Sequence, residues 1–348
     1  MNANLHLMET LRRSLAMLIP VWFPLSVSPE QIRDSLLATL YDCEHYLPWE
    51  HVVLVVDGDE RSHSIVQDLQ AACKHRYGCT FEVISSVENR GKGAAVCRGA
   101  EWFLARRGLD YLTIRDADGD HVLNDLPNLM RQAMLLRATE GIDHLIIVGR
   151  RSDPHRAVGF MRGEFETLLN RVLIETVRFA LAQQQRVLTT RYFSRAGEYP
   201  DLHSGYKLYS RSLCELIVQH LWERPPWVSA DIYRYGVEAV PFVEGVLAGA
   251  IVAEISRLAQ EPRFTGHGAF ARPETNGTVL LWTFLRLGID ANQAMALLDN
   301  HIPRLTLWTD PQGRETLLEL RRWVLEGLLA IAPEANPPPS MNATSSLL

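Results

Sequence analysis

The feature that most restricts the fold is an alternation through the first half of the chain, in which apolar runs of strand length are separated by segments of helical period. The apolar runs are residues 15–22, 51–56, 80–85, 111–115 and 144–148, and the helical segments are 29–40, 62–76, 93–106 and 124–136. A short, uninterrupted apolar run suits a strand covered on both faces, and strands alternating with helices pair in parallel. The pattern therefore predicts an α/β fold with a mostly parallel sheet flanked by helices. After about residue 150 the alternation weakens into a loop, a long helix over 165–184, a short segment over 203–209 and a helix–strand pair over 236–255. The remainder to residue 332 reads as helical and closes on the amphipathic stretch 315–329, while 333–348, rich in Pro, Ser and Asn, reads as disordered.

Size and composition fit this frame. A chain of 348 residues, 47% hydrophobic and 22% charged, can build one large α/β domain with an appendage. A formal charge of -6 argues against a general nucleic-acid binder, which needs a basic surplus to meet phosphates. Cys43, Cys73, Cys79, Cys97 and Cys214 are odd in number and lack a C-x-x-C pair, so they read as reduced, mostly buried thiols. The apolar stretch 15–25 is broken by Pro20 and Pro24, is too short to span a bilayer and has no signal-peptide layout, which leads to the expectation of a cytoplasmic protein.

Polar chemistry gathers at the carboxyl ends of the expected strands, where ligands bind in open α/β sheets. Asp57 follows the run 51–56 directly and suits either a ribose or base contact or a plain helix cap. Asn89-Arg90-Gly91-Lys92-Gly93-Ala94-Ala95 sets two glycines and two cations before a helix, where backbone N–H groups can face phosphate oxygens; a glycine-rich turn with solvated cations is the competing reading. It is neither a Walker A loop nor a Rossmann Gly-x-Gly-x-x-Gly. The segment Asp116-Ala117-Asp118-Gly119-Asp120-His121 is the most informative. Carboxylates so crowded repel one another unless a cation compensates, and oxygen ligands suit Mg2+ or Mn2+. An EF-hand is excluded, because its sixth position is His121 and its twelfth Pro127.

Together these segments resemble the GT-A-fold glycosyltransferases of family 2, in particular the branch similar to polyprenyl-phosphate sugar synthases. Ile19-Pro20-Val21 looks like the opening strand, though Trp22-Phe23-Pro24 replaces the usual Tyr-Asn-Glu. Val148-Gly149-Arg150-Arg151 and Asp201-Leu202-His203-Ser204-Gly205-Tyr206-Lys207 also fit, and the likeness extends over residues 15–255. The resemblance implies a GT-A, Rossmann-like catalytic domain over 1–255, with its acceptor side at 150–255, and a helical C-terminal extension over 256–332. It implies a nucleotide-diphosphate sugar donor, contacted by Pro20, Asp57, Asn89, Gly91, Lys92, Asp116, Ala117 and Arg151. Asp57 would hold the nucleoside, Asp116 the ribose or sugar, and Asp118 the metal on the diphosphate, with Arg90, Lys92 and Arg151 as cations. Related enzymes place a late-loop histidine on the metal, which points to His267, and to Arg263 closing over the diphosphate.

The acceptor stays open, with a soluble small molecule or glycan favoured over a polyprenyl phosphate. A hydroxyl acceptor needs a base, whereas a phosphate is already ionised. Asp201, Asp231 and Glu238 are the candidates, with Asp201 and Glu238 preferred, and each also reads as a helix cap or a salt-bridge partner; family 2 members generally invert. Arg150, Arg151, Arg156 and Arg162, near His155, would suit an anionic acceptor or a peripheral membrane contact, with plain solvated arginines as the stronger competing reading. The region 222–227 and the C-terminal helices are candidates for a homodimer interface. Two alternatives remain: a non-catalytic sugar-nucleotide sensor, suggested by the altered residues 22–24 and by Gly236 standing where an acid is usual, and, ranked below it, a sugar-1-phosphate nucleotidyltransferase.

Overall fold

Apolar runs become strands here because both sheet faces are covered. In the computed structural model, which describes residues 3–153, 155, 158–193, 199–222, 232–258 and 272–331, seven strands form one sheet. They are β1 (Leu15–Val21), β2 (Val52–Asp57), β3 (Glu82–Ser86), β4 (Tyr111–Ile114), β5 (Leu145–Arg150), β6 (Lys207–Ser210) and β7 (Ile251–Ser256), in the order β3-β2-β1-β4-β6-β5-β7. All pairs are parallel except those of β6, which runs antiparallel to β4 and β5. The fold is thus α/β with a mostly parallel sheet, as the alternation predicts.

Successive side chains of a strand enter opposite layers. Ala16 and Leu18 of β1 join one buried cluster, and Leu15, Met17, Ile19 and Val21 join the other. Val53 and Val55 of β2 divide from Val52, Leu54 and Val56 in the same way. One layer holds the helices Ala3–Ser14, Pro29–Leu40, Glu60–Tyr77 and Leu126–Glu140. The other holds Lys92–Leu104, Phe160–Gln183, Arg211–Trp222 and Ala239–Leu247. Helix ends follow local chemistry: Ser28 and Gln31 make a reciprocal capping box that starts Pro29–Leu40, and Gly78 ends Glu60–Tyr77 in the left-handed region.

The helical C-terminal region comprises Pro273–Arg286, Ala291–His301 and Pro311–Ile331. Val279, Leu280, Leu317 and Leu320 share one buried cluster with Phe165 and Phe242, so this region's core is continuous with the sheet's. The five cysteines are free, four of them buried. Among the described residues no helix is long and apolar enough to cross a membrane. The expected tail 333–348, and most of the segment 222–227, lie outside the described residues.

Candidate active site

Strand polarity decides where the site forms. β1, β2, β4 and β5 all end at one edge of the sheet, with Val21 beside Val56 and Leu18 beside Ile114. Order reverses at β1, which lies between β2 and β4, and a crevice opens at such a switch point. A cavity of about 640 Å³ occupies it. Pro20, Asp57, Asn89, Gly91, Lys92, Asp116, Ala117, Asp118, Arg151 and Glu238 all line it, so residues 218 positions apart in sequence converge there.

The glycine-rich turn is built differently from the expectation. Asp57 is 3% exposed, and its carboxylate accepts the Arg90 N–H at 3.1 Å and the Gly91 N–H at 2.7 Å. Those two N–H groups are therefore spent on Asp57 and do not face a phosphate. The glycines serve close packing instead. Gly91 has φ +98, and a Cβ there would sit 2.5 Å from the Arg234 Cγ, while a Cβ on Gly93 would sit 2.3 Å from the Tyr233 carbonyl oxygen. The short helix Ile232–Tyr235 thus lies directly on the turn, and Arg234 fastens it by donating from Nη1 to Asn89 Oδ1 at 2.6 Å and from Nη2 to the Asn89 carbonyl at 2.9 Å.

Lys92 reaches across the crevice, with its Nζ 2.8 Å from Asp116 Oδ1 and 3.4 Å from Glu238 Oε1. Burial disfavours its charge, but Asp116 and then Glu238 overcome this and raise its pKa. Burial likewise opposes ionisation of Asp116, and Lys92 reverses the effect, so its carboxyl is held well below the usual range. Asp116 also packs tightly on the β6 lead-in, since a Cβ at Gly205 would fall 2.5 Å from its Oδ2. Arg115 pins the acidic turn from beneath by donating from Nε to the His121 carbonyl at 2.8 Å and from Nη1 to the Thr39 carbonyl.

Asp116, Asp120 and His121 bring one ligand atom each within 4.8 Å of one another. Asp118 adjoins them, its Oδ1 accepting the Asp120 N–H at 3.3 Å. Asp120 Oδ1 is buried without a well-aligned hydrogen bond among the described residues, its near neighbour being His121 Nε2 at 3.2 Å. Burial, then the charges of Asp118 and Asp116, push the Asp120 carboxyl up to about 8. A carboxylate so strained in its ionised form fits a bound cation. His121 is a different matter: its Nδ1 accepts the Asp116 backbone N–H at 3.0 Å, so the ring proton sits on Nε2, facing Asp120 at 3.2 Å. With its proton on Nε2 the imidazole orients carboxylates, which leaves the oxygens of Asp116 and Asp120, with Asp118 beside them, as the atoms that could hold a cation. The expected ligand His267, with Arg263 and Asp231, lies outside the described residues.

Two expected roles change. Asp201 does not line the cavity; it is 4% exposed and clamped by Arg151, whose Nε and Nη2 donate to it at 2.8 and 2.6 Å. Burial raises its pKa, but Arg151 more than reverses that and holds the carboxyl at about 2, too weak a base to take a hydroxyl proton. Arg151 is equally committed, because its Nη2 also meets Glu166 Oε2 at 2.6 Å. Arg150 pairs with Glu254 at 3.3 Å and Arg162 with Glu166 at 2.7 Å, so these arginines brace the site wall; Arg156 lies outside the described residues.

Arg257, one residue past β7, joins the site without any motif around it. It is 6% exposed and donates from Nε to the Gly149 carbonyl at 3.1 Å. Its Nη2 stands 3.9 Å from Asp120 Oδ2, and its Nη1 has no hydrogen-bond partner among the described residues. A buried guanidinium at the cavity wall with an open donor suits an anionic ligand. Nothing local in the sequence marks it, since only the β5–β7 pairing carries it to the site.

No protein-family model matches the sequence, and no curated protein sequence matches it. Among solved structures, a mannosyltransferase from Pyrobaculum calidifontis in complex with GDP-Man and Mn2+ is similar at 14% identity, over 93% of this chain and 76% of that one, with a TM-score of 0.47. Glucosyl-3-phosphoglycerate synthase of M. tuberculosis is 16% identical over 82% of this chain and 85% of its own, with a TM-score of 0.40. A CMP:2-keto-3-deoxy-manno-octonic acid synthetase complexed with CTP is 12% identical over 71% and 93%, with a TM-score of 0.37. At these values the site has to be read from its own geometry.

Proposed function

We propose that this chain is a metal-dependent GT-A-type glycosyltransferase that moves a sugar from a nucleotide-diphosphate sugar to an acceptor, with inversion. The observation that carries the reading is the convergence of Asp57, Lys92, Asp116, Asp118, Asp120 and Glu238 on one cavity at the carboxyl edge of a parallel sheet. Breaking a sugar–phosphate bond leaves negative charge on the diphosphate and positive charge at the anomeric carbon, so a working site pairs cations with carboxylates at short range. Here Arg257 faces the acidic cluster and Lys92 ties Asp116 to Glu238.

In this reading the nucleoside lies near Pro20 and Asp57, where the half-exposed Trp22 offers an aromatic face to the base. Asp116, Asp118 and Asp120 would hold Mg2+ or Mn2+, which when bound neutralises charge on the diphosphate. Arg257 Nη1 donates to a phosphate oxygen. Glu238 and Lys92 orient the sugar. Beyond them the cavity is walled by Val158, Leu169 and Val279, and there the acceptor enters. A small soluble molecule or a glycan end is favoured there over a polyprenyl phosphate.

The engagement of Asp201 with Arg151 removes one expected base and favours, as a second reading, a protein that binds the donor without turning it over. The test is thermal stabilisation by a panel of nucleotide-diphosphate sugars, with and without Mn2+, on the native protein and on Asp118→Asn. A donor at a hundred times its dissociation constant adds about 2.7 kcal/mol. A Mn2+-dependent shift with one donor class, lost in Asp118→Asn, is the expected result; no shift with any donor would defeat the reading.

A further inference from the structure

One imidazole of the cavity lining has no part in the reading so far. His203 lines the cavity with Glu166 and Leu169, and its Nδ1 lies 2.7 Å from Asn170 Oδ1. An amide oxygen only accepts, so Nδ1 carries the ring proton and Nε2 carries a lone pair. That Nε2 is buried with no hydrogen-bond partner among the described residues. Leaving a buried acceptor unmet is destabilising, a cost that a ligand hydroxyl would remove. The other carboxylates nearby are engaged: Asp201 with Arg151, Glu166 with Arg151 and Arg162, Glu238 with Lys92.

We propose that His203 is the general base of this reaction, its Nε2 taking the proton of the acceptor hydroxyl. The inference rests on the glycosyltransferase reading above. As the O–H bond breaks, its electron pair forms the bond from oxygen to the anomeric carbon. The bond from that carbon to the phosphate oxygen breaks, and its pair leaves with the nucleoside diphosphate. The proton stays on His203 as imidazolium until it passes to solvent. The surroundings suit both states. Burial lowers the pKa of His203, so the resting ring is neutral; Glu166, from Phe160–Gln183, and Glu238, before Ala239–Leu247, favour the cation once formed. From its own segment, Lys207 opposes that cation and Asp201 supports it.

The test compares the native protein, His203→Gln and Asn170→Asp, using the nucleotide-diphosphate sugar that gives the largest thermal shift. Water and concentrated glycerol serve as acceptors, and nucleoside diphosphate release is measured across pH. His203→Gln is expected to keep donor binding and its thermal midpoint while losing roughly 10²–10⁴-fold in kcat, with part restored by added imidazole. Asn170→Asp places a carboxylate on Nδ1, raises the ring's pKa and moves the acid limb of the pH profile upward. A native kcat in His203→Gln, or an acid limb unmoved in Asn170→Asp, would overturn the assignment of the base alone. Donor binding without release in either acceptor would also overturn it, because a binding protein needs no base. Absence of donor binding by the native protein would instead defeat the glycosyltransferase reading on which it rests.

Discussion

Replacing Arg151 by Met separates a structural clamp from a ligand-binding cation. The guanidinium makes bonds of 2.8 and 2.6 Å to Asp201 and 2.6 Å to Glu166, with all three side chains almost fully buried. Removing one partner of such a group strands a buried charge and costs about 3–5 kcal/mol. At a urea slope of about 3 kcal/mol/M the unfolding midpoint should fall by about 1 to 1.7 M at pH 7. The pH dependence gives a second, independent sign. In the native protein Asp201 is held at about 2 against its ordinary 3.8, a stabilisation on the order of 2 kcal/mol. Because the folded pKa is depressed, that stability is present above pH 4 and is lost as pH falls toward 2. In Arg151→Met the buried carboxyl is pushed up instead, so stability is present below pH 4 and is lost as pH rises through the raised folded pKa. The penalty should therefore be smaller at pH 5 than at pH 7. A loss below about 1 kcal/mol at pH 7, combined with abolished donor binding, would refute the clamp and restore Arg151 to the donor site.

Three further outcomes follow from the geometry. Gly93→Ala places a Cβ 2.3 Å from the Tyr233 carbonyl oxygen, so it should destabilise by about 1–3 kcal/mol in urea unfolding and release the segment over the turn to proteolysis. Arg257→Gln removes the open guanidinium donor and should weaken donor binding about 10- to 100-fold by calorimetry while leaving nucleoside binding nearly unchanged. Asp120→Asn relieves repulsion among Asp116, Asp118 and Asp120, so it should raise the thermal midpoint in chelator and lower it relative to native in saturating Mn2+; a same-sign effect in both conditions would contradict a metal site there.

Much of the architecture was legible because burial on both faces writes a parallel strand as an unbroken apolar run. The helix Pro29–Leu40 begins and ends at the expected residues, and most other boundaries move by one to four. The antiparallel direction of β6 leaves no trace in four residues; only the register Tyr111 to Ser210 reveals it. The helix Ala3–Ser14 carries a thin apolar signal, because only Leu7 and Leu11 of its mid-section enter the core. At the site, the acidic cluster and Lys92 were legible as local runs of like chemistry. The partners of Asp57, Asp201 and His203 were not, because they are set by contacts 33, 50 and 33 residues away. Asp201 reads as a candidate base in sequence but is enclosed by Arg151 in the fold, and His203 is marked out only by the amide that fixes its tautomer.

The central claim is that the carboxylates of Asp116, Asp118 and Asp120 hold a divalent ion against a nucleoside diphosphate. It is tested most directly by crystals grown with Mn2+ and a nucleoside diphosphate and measured near the manganese absorption edge. The account predicts one anomalous peak in direct contact with these carboxylates and with both phosphates, with Arg257 on a phosphate oxygen and the nucleoside beside Asp57. A nucleotide bound away from the carboxyl edge of the sheet, or bound there with no manganese between it and the three aspartates, would contradict it.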